Sequence, residues 1–362
     1  VTLYEHARRL LADHPDGPLP RQGRPLPDED AYRRRWHWLG HAHRDADAKA
    51  LAQRARAEGG PRVARAVGAF LSGADSPAAR AGLYEELVAA YVPPWHELPT
   101  ALAPVVCDVA SDRLRELGRW LVRDSADHNP VKVGLALLEG TAAPDDVELV
   151  KTLAVIGDSF SPAAVRVVKR LPDSEQILLW IAGRTSGWGR VYPVEALCES
   201  SDPLIRRWLL RHAVVLDPLS GYYAGRIAMV CDLRAALDAT EVDDDLLDGA
   251  GRILMTMTYC AGMGRDLWTY RDSAPALMRY ITMAERATPT AWRFHHTAVL
   301  SEALHKASAE ELAWRPGELR RTRERFAALV RSPHWIEALR DALADPEGEL
   351  AWLIERYRAF PG

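Results

Sequence analysis

Between residues 129 and 213 the chain returns again and again to proline beside a small polar or acidic residue: Asn129-Pro130, Pro144-Asp145, Ser161-Pro162 and Asp202-Pro203. This pattern constrains the fold more than any other. Proline suits the first turn of a helix, where its missing N–H would have no intrahelical partner. Asn129, Ser161 and Asp202 carry side-chain oxygens that can cap the same ends. The intervals are regular: Pro130 to Pro162 is 32 residues, and Pro162 to Pro193 and Pro172 to Pro203 are 31 each. Each holds a pair of short amphipathic segments, such as 145–156 followed by 163–171. A helix pair this short cannot bury its apolar face alone, so successive pairs must stack. Sustained period-two alternation and Asn-Gly hairpin signals are absent. The expected fold is all-α: a right-handed α-solenoid of stacked antiparallel helix pairs behind a helical N-terminal cap.

The flanking chain is read in the same terms. Residues 2–14 predict a short helix with Leu3, Ala7, Leu10 and Leu11 on one face. The proline-rich stretch 15–27 reads as a linker or extended arm, not a packed element. Residues 28–58 give the longest helical pattern, closed by Gly59-Gly60-Pro61. Helices at 62–71 and 77–91 follow. The proline-broken stretch 92–104 is the expected boundary between a cap at 1–104 and a solenoid at 105–362. Further helices are expected at 246–260, 274–286, 292–306, 318–330, 334–344 and 347–360.

Composition narrows the function classes. A net charge of −4 gives no global reason to expect nucleic acid or an anionic membrane. Charge is segregated, however: residues 32–65 and 315–331 are arginine-rich, and 232–248 is acidic. The four cysteines are scattered without a CxxC pair, which reads as reduced thiols. No apolar run approaches the length of a membrane span, and no signal-peptide core opens the chain. A soluble, cytoplasmic protein is expected.

The clearest family likeness lies at residues 187–213. Its features are Gly187-Trp188-Gly189-Arg190, Val194-Glu195, Leu197 and Trp208-Leu209-Leu210-Arg211. They resemble HEAT-like helical repeat proteins, including bacterial members without an assigned activity. The chain departs from that pattern at Ala196, where a basic residue is usual, and at Ala213, where a glycine closes the second helix. The spacing is also shorter than the usual HEAT unit of about 40 residues. The resemblance implies a binding scaffold and little about chemistry.

The richest concentration of aromatic and arginine residues is Trp188, Arg190, Tyr192, Arg207, Arg211, Tyr222 and Tyr223. Such residues are favoured at binding hot spots, for contact area, stacking and forked donors. The competing reading has Trp188 and Tyr192 plugging the gap between repeats, with the arginines solvated. His37, His41 and Asp45 recur at helical spacing and suit a metal such as zinc, but an arginine-rich solvated face is the stronger reading. His295-His296, with Trp292 and Arg293, reads as structural, because neighbours on a helix point in different directions. Asp243-Asp244-Asp245 reads as a helix N-terminus. Gly262-Met263-Gly264-Arg265 is no dinucleotide fingerprint. No cofactor and no metal are expected.

The expected function is therefore a non-enzymatic scaffold for a protein or peptide partner. The alternative is nucleic-acid binding or repair, since some HEAT-like proteins are alkylpurine DNA glycosylases. Trp180, Arg184, Trp188, Arg190 and Glu195 supply the residue types such a site needs.

Overall fold

The first helix starts where local chemistry places it. In a computed structural model of the chain, which describes residues 1–36, 46–239, 242–308, 314–344 and 357, the Thr2 hydroxyl accepts from Glu5 N at 3.1 Å. The Glu5 carboxylate accepts from Thr2 N at 3.1 Å in return. This reciprocal cap opens α1 (Leu3–Asp13). Every regular element among the described residues is a helix, and none is a strand. No described helix is long and apolar enough to cross a membrane. The chain divides into two compact units, Val1–Leu197 and Cys198–Gly362.

In the first unit α1 is followed by α2 (Glu29–Trp36), α3 (Ala46–Ser72), α4 (Pro77–Ala89), α5 (Leu98–Val106) and α6 (Ser111–Asp124). Then come α7 (His128–Leu138), α8 (Val147–Ala154), α9 (Gly157–Val168), α10 (Ser174–Arg184) and α11 (Trp188–Leu197). Consecutive helices pair as α6 with α7, α8 with α9, and α10 with α11. The members α7, α9 and α11 also pack on one another in succession, as do α6, α8 and α10. Gly118 and Gly134 let α6 and α7 meet closely. A Cβ on Gly134 would stand 2.9 Å from Gly118 O, and one on Gly118 3.1 Å from Gly134 O.

Four expectations change here. Residues 15–27 are packed rather than free: Leu19 and Leu26 are buried, and His6 Nε2 lies 2.7 Å from Gly23 O. The prolines advertise a loop, but the leucines between them find the core. Gly59-Gly60-Pro61 does not end a helix, because α3 runs through it. The glycines serve close approach instead, since a Cβ on Gly59 would lie 2.3 Å from Tyr91 O. Burial of Val63, Val67, Phe70 and Leu71 beyond the proline holds the continuation in place. Residue 104 marks no break either, because one apolar cluster runs from Val63 through Leu102 and Leu114 to Leu137.

The fourth change concerns the prolines themselves. Pro162 and Pro193 lie inside α9 and α11 rather than at their starts. Pro193 has no N–H to give Gly189 O, its partner one turn back. Ser161, expected as a cap, supplies that donor: its Oγ reaches Gly189 O at 2.8 Å in the buried seam between α9 and α11. Asp202 behaves as expected and caps its helix through Leu204 N at 2.8 Å.

The second unit holds α12 (Pro203–Trp208), which continues into a π-helical turn at Leu209–Ala213. It then holds α13 (Ala224–Val230), α14 (Leu233–Leu237), α15 (Asp244–Met257), α16 (Ser273–Ala284), α17 (Ala291–Lys306), α18 (Glu318–Val330) and α19 (Pro333–Leu343). At its centre α15 buries Leu246, Leu247, Ala250, Ile253, Leu254 and Met257, packing against α13, α16 and α17. Asp243 caps α15 through Leu246 N at 2.7 Å, so the aspartate run is a helix start. Of the helix expected at 347–360 only residue 357 is described, and the His37, His41 and Asp45 trio lies outside the described residues.

Candidate functional site

A concavity of the first unit forms where side chains at the start of α2 meet side chains at the start of α7. Asp28, just ahead of α2, accepts His128 N on Oδ2 at 2.7 Å, and its Oδ1 lies 2.5 Å from His128 Nδ1. One turn further along both helices, Lys132 Nζ donates to the Tyr32 hydroxyl at 2.7 Å. Residues four apart share a helix face, so the first contact fixes the second. Tyr32 stacks on His128 with ring centroids 4.2 Å apart, and Lys132 Nζ lies 4.9 Å from the Tyr32 centroid. Tyr32 is thereby held on both ring and hydroxyl.

The opposite wall comes from Tyr91 and the Pro93-Pro94-Trp95 turn ahead of α5. Burial pushes the Tyr91 phenol above its ordinary pKa, so it stays a neutral hydroxyl. Trp95 meets Tyr192 of α11 edge to face at 5.8 Å, while the Arg166 guanidinium of α9 lies 5.6 Å from the Trp95 centroid. Arg166 also pairs with Glu139 at the end of α7. Tyr32, Lys132, Tyr91, Trp95, Glu139 and Tyr192, with Asp158, Ser159 and Pro162 of α9, line an open cavity of about 220 Å³. A volume below the 300–1,000 Å³ typical of drug-sized ligand pockets suits one amino-acid side chain rather than a large cofactor.

The residues singled out by sequence are distributed differently. Trp188, 36% exposed, stacks on Tyr192 at 6.3 Å, which places it beside the cavity wall. Tyr192 lines the cavity. Arg190 is a correction: it is only 6% exposed, and its guanidinium donates to Ala182 O inside the unit. An arginine spent on a buried carbonyl cannot greet a partner. Of the residues named for a nucleic-acid site, Arg184 lies over Trp180 at 4.5 Å from its centroid, and Lys151, which was not among them, lies 4.6 Å from the same ring.

Arg207, Arg211, Tyr222 and Tyr223 belong to the second unit. Arg211 donates to Asp243 from Nε at 3.2 Å and from its terminal nitrogen at 2.8 Å, and Arg207 lies 3.6 Å from the same carboxylate. The Arg211 hydrogen bond holds Asp243 below the usual carboxylate pKa. Tyr223 is 1% exposed, with its hydroxyl 2.8 Å from Ser220 Oγ, so it is a core residue and not a surface contact. These arginines therefore clamp the start of α15.

His295 and His296 are both buried. His295 Nδ1 lies 2.8 Å from the Tyr357 hydroxyl. Among the described residues neither ring nitrogen of His296 meets a hydrogen-bond partner, and burial drives its pKa well below the ordinary value, leaving it neutral. Among the described residues no group of three potential metal ligands assembles.

Sequence reasoning missed Tyr32, Trp95 and Lys132. The only trace was the matched four-residue spacing of Asp28/Tyr32 and His128/Lys132, which has meaning only once the start of α2 is known to meet the start of α7. Neither a family model nor a curated protein nor a solved structure matches the chain.

Proposed function

We propose that this chain is a non-enzymatic helical-repeat scaffold, a HEAT-like right-handed solenoid of stacked helix pairs, whose first unit binds a peptide segment of a protein partner. The observation that carries this reading is the side-chain-sized cavity walled by Tyr32, Tyr91, Trp95 and Tyr192. Interface hot spots cluster in pockets of this kind, where aromatic side chains offer large, rigid contact area and exclude water. The succession of α7, α9 and α11 supports the repeat reading, because each helix pair depends on its neighbours for burial. Trp188, partly exposed and stacked on Tyr192, adds a further aromatic ring beside the cavity lining.

The test is a selection of random displayed peptides on the full-length chain, counter-screened against a Trp95→Ala, Tyr192→Ala variant of unchanged helicity. Peptides held by the parent protein and lost from the variant are expected. If every recovered peptide binds both proteins equally, the cavity is not the binding site and the proposal fails.

A further inference from the structure

We infer that the cavity recognises a carboxylate, so that the partner anchors through an aspartate or glutamate side chain. This rests on the peptide-binding reading above. The charge ledger of the cavity carries the argument. Its charged lining residues are Lys132, Glu139 and Asp158. Glu139 is matched by Arg166, and Arg170 lies 3.9 Å from the same carboxylate. Asp158 stands in the first turn of α9, where the helix N-terminus favours an anion. Lys132 differs from both. Among the described residues its half-buried ammonium meets the Tyr32 hydroxyl and ring and no carboxylate.

A lysine ammonium has three donors, and here one is spent on a neutral oxygen. Partial burial of an uncompensated cation costs free energy that an incoming anion recovers. The aromatic lining does not favour a cationic ligand instead. Tyr32 already stacks on His128 and carries Lys132, and Trp95 carries Arg166, so two of the four aromatic rings already serve internal cations. The volume admits one side chain, and the Trp95, Tyr192 and Pro94 walls would cover its methylenes. A carboxylate at Lys132 Nζ is the complementary group.

The experiment repeats the peptide selection with the full chain, a Lys132→Glu variant and a Lys132→Arg variant. Binding of recovered peptides is then measured by calorimetry, with each acidic residue replaced by its amide. The parent protein and Lys132→Arg should enrich Asp or Glu at one position. Lys132→Glu should lose that preference or turn it to Lys and Arg. The Glu→Gln change in the peptide should weaken binding to the parent about tenfold or more, and to Lys132→Glu less than about twofold. Cavity-dependent peptides without an acidic position would overturn this inference while leaving the scaffold reading intact. If no peptide depends on Trp95 and Tyr192, both fall. Far-ultraviolet circular dichroism on each variant separates loss of binding from loss of fold.

Discussion

Replacing Ser161 by alanine should destabilise the first unit by about 2 kcal/mol, and the reason lies in another helix. Pro193 interrupts the hydrogen-bond ladder of α11 and leaves Gly189 O without its helical donor. Ser161 Oγ fills that role at 2.8 Å, and Ser161 is completely buried. Removing the hydroxyl leaves a buried carbonyl unsatisfied, which costs about 1–3 kcal/mol, whereas the lost hydrogen bond alone is worth about 1 kcal/mol. With a urea m-value of about 3 kcal/mol/M, 2 kcal/mol lowers the unfolding midpoint by about 0.7 M. A double-mutant cycle isolates the cause. Pro193→Ala restores an N–H that can reach Gly189 O, so Ser161→Ala should cost about 1 kcal/mol less in that background. Urea titrations followed by circular dichroism on the four proteins measure the difference. Additivity within about 0.5 kcal/mol would refute the claim that the serine substitutes for the amide that proline lacks.

Three further outcomes are expected. Gly59→Ala should destabilise the protein by about 1–3 kcal/mol, because its Cβ would fall 2.3 Å from Tyr91 O and force α3 away from the chain ahead of the cavity; a thermal midpoint equal to the parent's would show that this contact yields freely. His296 has a folded-state pKa depressed by burial below the ordinary 6.5. The unfolded chain therefore takes up its proton first: the His296 contribution is complete above pH 6.5 and declines by about 1.4 kcal/mol per pH unit below it, until the folded value is reached. A His296→Leu variant should flatten the urea-midpoint profile below pH 6.5, and an unchanged slope would place the acid sensitivity elsewhere. Arg211→Ala should cost no more than about 1 kcal/mol, because Asp243 is 47% exposed and water screens the pair; a larger loss in denaturant titration would mean that the clamp on α15 is cooperative.

The sequence was most legible where structure is local. The helix starts at Asp202 and Asp243 depend on residues two or three apart, and each side chain meets the amide its spacing predicts. The amphipathic stripes at 246–260, 274–286 and 318–330 found their helices for the same reason, since periodicity is a property of a short window. The proline rule worked less well. Pro203 opens a helix, but Pro162 and Pro193 sit inside theirs. Nothing local distinguishes these cases: the donor that stands in for the missing Pro193 N–H is Ser161 of another helix.

The candidate site was the least legible part. Tyr192 stood out as one of several aromatics near arginine, and it does line the cavity. Arg190 looked equivalent on the page, yet it is buried against Ala182 O, because i and i+2 on a helix face different ways. The sequence by itself determined that the chain would be helical, where many helices begin, and which faces are apolar, since backbone propensity, capping and periodicity act over a few residues. Only the tertiary structure decided that Asp28 grips His128, that Tyr32 therefore reaches Lys132, and that Trp95 closes the other wall. Those partners lie far apart in the chain, and their meeting is settled by how helices pack, which no local pattern records.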